Sequence, residues 1–143
     1  MNKIQVIYLM QDRFQNWQPP KIEHGKLTEW HWVVYHPENF ILGRNVDIGA
    51  FTAIFAHRGV TIGDEVQLGS HCSVYSVSTI DGKEGPVALK KNCRIGTKST
   101  VMPGITVGEN SIVGGHSFVN CDIPANQVWA GVPARFLMSL DDL

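Results

Sequence analysis

Residues 89–119 read LKKNCRIGTKSTVMPGITVGENSIVGGHSFV, with an aliphatic residue at every sixth position: Leu89, Ile95, Val101, Val107, Val113 and Val119. A helix repeats its apolar face every 3.6 residues and a half-buried strand every second one, so neither produces a period of six. A chain that lays down one flat side every six residues and closes after three sides forms a triangular coil of about 18 residues. Each coil then stacks on the last over a continuous core. The same spacing reaches back to Leu42, Ile48 and Ile54, slips by two residues, and resumes at Ile62, Leu68, Val74 and Ile80. The expected fold is all-β, a parallel β-helix.

A second column lies four residues after the first: Val46, Thr52, Val66, Cys72, Ser78, Cys93, Ser99, Ile105, Ser111, Ser117 and Ile123. All are small or β-branched, as suits a side chain turned inward at a crowded corner. Cys72 and Cys93 therefore read as core filler and not as nucleophiles. Cys121 lies off the column. Glycine follows the aliphatic position at Gly43, Gly49, Gly63, Gly69, Gly96, Gly108 and Gly114, where a tight corner calls for a residue without a Cβ. Three cysteines with no CxxC pair argue against a disulfide framework or a cysteine-based zinc site. With 12 basic and 13 acidic residues there is no global field to attract nucleic acid or a membrane surface. The apolar stretch at 3–10, KIQVIYLM, is too short to span a bilayer, lacks a signal-peptide cleavage site, and reads as a strand. A cytoplasmic protein is expected.

The repeat divides the chain into a cap at 1–40, a β-helix at 41–137 and a tail at 138–143. The cap holds Trp17, Trp30 and Trp32. Strands are expected at 4–10 and 29–35 around the turn at Pro19 and Pro20, with acceptor binding as the alternative role for the aromatics. From Pro133 onward a short helix or tail is expected. Two breaks interrupt the coils. One is the slip at 57–59. The other is DGKEGP at 81–86, where nine residues replace six and Gly82, Gly85 and Pro86 mark an exposed loop. Loops that leave a strict repeat often carry function, which makes Asp81, Lys83 and Glu84 candidates for substrate binding.

The segments GRNVDIG, GDEVQLG, KKNCRIG and GENSIVGG, closed by DIPANQVWAGVPARFL, resemble the hexapeptide acyltransferase superfamily. Over 39–137 the pattern is most similar to the sugar O- and N-acetyltransferases of surface-polysaccharide pathways, with serine acetyltransferases further off. The resemblance implies a left-handed β-helix and transfer of an acyl group from acetyl-CoA to a sugar or nucleotide-sugar. It also implies a homotrimer with sites in the clefts between prisms. Zinc-dependent hydratases of the carbonic anhydrase kind share the repeat, and a non-catalytic scaffold is the remaining alternative. The zinc set would need His57, His71 and His116 to meet across chains, and no closely spaced histidine pair supports it, so no metal is expected.

Acyl transfer needs a base for the acceptor proton and a donor for the developing oxyanion. Histidine suits the first task because imidazole titrates near neutrality. His24, His31 and His36 fall in the cap, away from the expected chemistry. The family often carries its base in an I-G-S-H hexad, which Leu68-Gly69-Ser70-His71 matches and which makes His71 the first candidate. The hexad ahead of Pro103-Gly104, where the family often has that histidine, carries Lys98 instead. Leu68, Ile95 and Val113 are the middle members of successive coils. His71, Lys98 and His116, each three positions later, should therefore line one edge about 4.8 Å apart. A cation there would favour neutral imidazoles. His57, in AHRG, loosely matches a serine-acetyltransferase H-x-x-G corner and is the second candidate. His116 is a further substrate-binding candidate. For the coenzyme, Gly114, Gly115, Ala130 and Gly131 permit close approach, and Arg135 or Lys98 would meet its phosphates.

Overall fold

A computed structural model describes residues 14–143 together with Asn2, Lys3 and Gln5. The first coil is β1 (Val33–Tyr35), β2 (Phe40–Leu42) and β3 (Asp47–Ile48). The second is β4 (Ala53–Phe55), β5 (Val60–Ile62) and β6 (Gln67–Leu68), and the third β7 (Ser73–Tyr75), β8 (Val87–Leu89) and β9 (Arg94–Ile95). The fourth is β10 (Thr100–Val101), β11 (Thr106–Val107) and β12 (Ile112–Val113). The fifth holds β13 (Phe118–Val119) and β14 (Gln127–Gly131), and β15 (Ala134–Ser139) folds back antiparallel to β14. Each strand pairs in parallel with its counterpart one coil on. This gives a first face β1-β4-β7-β10-β13, a second β2-β5-β8-β11 and a third β3-β6-β9-β12-β14.

Registry explains the six-residue column. Val34, Ile54, Val74, Val101 and Val119 align on the first face, and Leu42, Ile62, Leu89, Val107 and Ile123 on the second. Ile48, Leu68, Ile95 and Val113 align on the third. Leu42 is half-buried at the open end and the others are buried. The polar corner fillers bond across coils: the hydroxyl of Thr52 donates to the Gly69 carbonyl at 2.8 Å and that of Ser111 to Pro124 at 2.6 Å. Burial pushes both inward thiols up, that of Cys93 to about 12, so neither is a ready nucleophile. The glycines after the column answer to stacking. A Cβ on Gly49 would lie 2.3 Å from the Ser70 nitrogen of the next coil, and one on Gly96 2.4 Å from that of Gly115.

Several expectations change. Ile80 is 98% exposed and Ser78 only half-buried, so neither joins its column; the buried corner residue there is Ser76. The two-residue slip at 57–59 is the ordinary length of that side, because Val34 and Leu42, like Ile54 and Ile62, lie eight positions apart. In the third coil fifteen positions separate Val74 from Leu89, and the extra residues form a hairpin that starts at Val77. The first coil begins at Val33, inside the segment expected to be the cap, and the strand expected at 29–35 is only Val33–Tyr35 because 28–31 turn, with the His31 N–H donating to the Thr28 carbonyl at 2.9 Å. At the other end β15 takes the place of a helix or tail. Lys3 and Gln5 are helical, and the rest of the strand expected at 4–10 lies outside the described residues. Trp32 is buried, and the Trp17 indole donates to the Val46 carbonyl at 3.0 Å across the open end. Among the described residues no helix is long and apolar enough to cross a membrane.

Candidate active site

Where the third face turns into the first, one residue per coil takes the left-handed helical backbone region: His31, Phe51, His71, Lys98 and His116, with φ of 56–66°. Main-chain bonds lock each rung to the one before. The His71 N–H donates to the Ala50 carbonyl at 3.0 Å, that of Lys98 to Ser70 at 2.9 Å and that of His116 to Thr97 at 2.8 Å. His71, Lys98 and His116 thus line one edge on consecutive rungs, as their spacing predicts, and all three are exposed. Among the described residues no hydrogen bond reaches either imidazole and no ion pair engages Lys98. The Phe51 ring lies 5.3 Å from that of His71 and 6.1 Å from that of His31. His31, expected in the cap, is the first member of this row.

Gly114, Gly115, Ala130 and Gly131 continue the same edge below Lys98. A Cβ on Gly114 would lie 2.9 Å from that of Ala130, and the Gly131 N–H donates to Ser117 Oγ at 3.1 Å. Their small size is required by stacking, and it leaves a strip poor in side chains beside Lys98. Arg135, on β15, is exposed and donates to the Ala134 carbonyl at 2.8 Å.

The opposite edge of the first face is built differently. His57 is exposed there, its ring 4.3 Å from that of His36. His36 Nδ1 lies 3.0 Å from Glu38 Oε1, and His24 Nδ1 accepts from the His36 N–H at 2.9 Å. Lost solvation, then His36, His24 and Arg58, hold the His57 imidazole below its ordinary value. The hairpin stands beside it, closed by Ser78 N–H to the Lys83 carbonyl at 2.8 Å and Gly85 N–H to Ser76 at 2.9 Å. Asp81 accepts from the Lys83 N–H at 3.2 Å, and bonds from Ser78 first and then Lys83 hold its carboxyl below the ordinary range. Glu84 accepts from Arg58 Nε at 3.2 Å. These charges, read from sequence as substrate contacts, engage one another, and Ile80 projects from the tip.

Between the two edges, Tyr35, Phe55 and Tyr75 stack with centroids 5.0 and 4.7 Å apart and planes within 5°. One side of about five extended residues spans roughly 16 Å. A single chain therefore brings His71, Lys98 and His116 together, and separately His57 with His36 and Arg58 with Glu84, but does not unite the two groups. The His36–Glu38 pair and His24 escaped the sequence reading, although the coil length of 20 that repeats Tyr35, Phe55 and Tyr75 was there to be counted. A cavity of about 480 Å³ lies at the open end, lined by Trp17, Trp30, Trp32, Leu42 and Val46 among others.

Residues 87–121 match the bacterial transferase hexapeptide family (six repeats), on the coils whose registry is described above. The chain belongs to the hexapeptide-repeat superfamily. This hexapeptide-repeat chain is 34% identical over 113 residues to a galactoside O-acetyltransferase of Escherichia coli (strain K12), covering 73% of the chain and 56% of that protein. It is 30% identical over 117 residues to a galactoside O-acetyltransferase of Lactococcus lactis subsp. lactis (strain IL1403), covering 70% and 56%. It therefore spans a little over half the length of these curated relatives. Among solved structures it is similar to a maltose O-acetyltransferase from Clostridium difficile 630, with a TM-score of 0.72, 21% identity, and coverage of 97% of this chain and 89% of that one. It is also similar to an N-acyltransferase from Bacillus cereus in complex with dTDP and 3-hydroxybutyryl-CoA, with a TM-score of 0.66, 23% identity and coverage of 79% and 78%. These structural likenesses are of fold, the left-handed parallel β-helix, whose hand runs against the usual right-handed crossover.

Proposed function

We propose that this chain is an acyl-CoA-dependent acyltransferase that acetylates a hydroxyl or amino group of a sugar or nucleotide-sugar. It would act as a cytoplasmic homotrimer with its sites in the clefts between prisms. The observation that carries this reading is the edge of His71, Lys98 and His116, where exposed imidazoles flank a cation that forms no ion pair among the described residues. The names of the relatives support transfer to sugars, with O- and N-acylation both represented.

Acetyl-CoA, when bound, supplies the thioester acyl group. Lys98 and Arg135 would meet its phosphates, and the strip of Gly114, Gly115, Ala130 and Gly131 would lie against the pantetheine arm. His71 would accept the proton that the acceptor gives up. A trimer would bring the hairpin edge of one prism to the histidine edge of the next, so that His57, Asp81, Lys83 and Glu84 border the acceptor beside His116. That arrangement accounts for candidates standing on two edges of one chain. The zinc-hydratase alternative has less support, since the relatives named above are transferases.

The test is thiol release from acetyl-CoA with methyl β-galactoside, maltose and a nucleotide-linked amino sugar as acceptors, alongside light scattering. Acceptor-dependent release by a trimer is expected. A monomer that releases no thiol with any of the three would overturn the proposal.

A further inference from the structure

Among the described non-glycine residues with positive φ are His31, His36, Glu65, Lys98 and several asparagines, and Phe51, at +63°, is the one with a wholly apolar side chain. That backbone region is costly for L-residues and least so for Asn or Asp. The Phe51 ring is also 55% exposed, so the position combines an unfavourable backbone with an apolar ring left in water. The coil sets that backbone at this corner in every turn but calls for no apolar ring there, because the inward residue of the corner is the neighbouring Thr52, fully buried and bonded to Gly69. Strain and exposure coinciding on one residue point to a ligand contact.

Position names the ligand. Phe51 stands one rung before His71, its ring 5.3 Å from the imidazole, while Lys98 and the strip through Gly115 and Gly131 lie on the rungs after it. His71 thus divides the edge into a polar, cationic half suited to a phosphorylated donor and an aromatic half that carries no charge of fixed sign. We infer that Phe51 is the apolar wall of the acceptor subsite, packing against the C–H face of a pyranose ring whose hydroxyl or amino group points at His71. The inference rests on the acyltransferase reading and adds the residue that selects the acceptor.

The test variant is Phe51→Asn, because asparagine tolerates the backbone. Steady-state kinetics with acetyl-CoA and methyl β-galactoside are paired with saturation-transfer NMR of sugar binding, which needs no turnover, and with light scattering. The expected result is a melting temperature no lower than wild type and an unchanged KM for acetyl-CoA. The sugar KM should rise about fivefold to tenfold, the worth of one lost aromatic contact, and Phe51→Trp should restore sugar binding. An unchanged sugar KM in Phe51→Asn would overturn the inference and leave the acyltransferase reading standing. A trimer that falls apart on this substitution would also overturn it, making Phe51 a subunit contact. If the wild type releases no thiol yet loses its sugar saturation transfer on this substitution, the subsite stands and the reaction assigned to it falls.

Discussion

The two edges that bound the third face share one backbone and carry opposite side chains. Asn45, Glu65, Asn92, Asn110 and Asn126 take φ of 54–62° at one corner, as His31, Phe51, His71, Lys98 and His116 take 56–66° at the other. On the asparagine edge the amides close a ladder of their own: Asn92 Nδ2 donates to Asn110 Oδ1 at 2.9 Å and Asn110 Nδ2 to Asn126 Oδ1 at 3.0 Å. On the histidine edge Ser70 Oγ and Thr97 Oγ1 lie 3.1 Å apart, but none of the five left-handed side chains hydrogen-bonds another. A coil needs only a residue that accepts the left-handed region, and among residues with a side chain asparagine does so at low cost. Where the chain sets aside asparagine for histidine, phenylalanine and lysine, and leaves them unbonded, those residues serve something other than the corner.

The largest expected effect falls on the histidine edge. His71→Ala should lower kcat by about 10² to 10⁴-fold, the contribution of a positioned base, with KM for acetyl-CoA and the melting temperature little changed, because Leu68 and Cys72 hold the core and the imidazole hydrogen-bonds to none of the described residues. Should His57→Ala abolish turnover while His71→Ala does not, the base passes to the other edge of the first face. Replacing 77–84 by a direct link of the length used in the second coil should keep the fold, since no column residue is lost. It should cut kcat/KM for the acceptor by roughly tenfold, about 1.4 kcal/mol; normal turnover by the trimmed protein would strip the hairpin of its role.

On the asparagine edge the effects should be on stability alone. Asn110→Ala removes both of its ladder bonds and puts a poorer residue in the left-handed region. It should cost about 1 kcal/mol, read by thermal melting, with kcat and KM unmoved. The smallest effect concerns pH. His57 binds its proton more weakly in the folded chain than unfolded, where imidazole titrates near about 6.5. Its contribution is therefore fully present above that value and is lost as pH falls through the lowered folded value. His24, His36, Glu38 and Arg58 face it. Wild type should lose more melting temperature between pH 7 and pH 5.5 than His57→Gln does, and equal losses would remove this coupling.

What was legible in the sequence follows the regularity of the coils. From Leu89 to Val119 the sides keep a strict six, and there the columns, the stacking of Lys98 and His116, and the fillers Cys93 and Ser99 read off directly, with His71 placed by the side at Leu68. Before Leu89 the side between the first and second faces takes eight residues or more. The six-residue rule therefore assigned Ile80 and Ser78 to the core and stopped one side short, at Leu42, of the strand Val33–Tyr35. The same miscount hid His31 and His36 in a supposed cap. Side-chain contacts were beyond periodicity altogether: that Asp81, Lys83 and Glu84 are engaged with Lys83, Asp81 and Arg58 follows from how the hairpin folds back. The row of left-handed corners comes from the backbone and was not read from the sequence.

The most direct test exchanges residue types between the edges, measuring kcat by thiol release and the melting temperature for His71→Asn and Asn110→His. The account predicts that His71→Asn loses turnover while melting no lower than wild type, and that Asn110→His melts lower while turning over normally. Full turnover in His71→Asn, or loss of turnover in Asn110→His with the trimer intact, would contradict it.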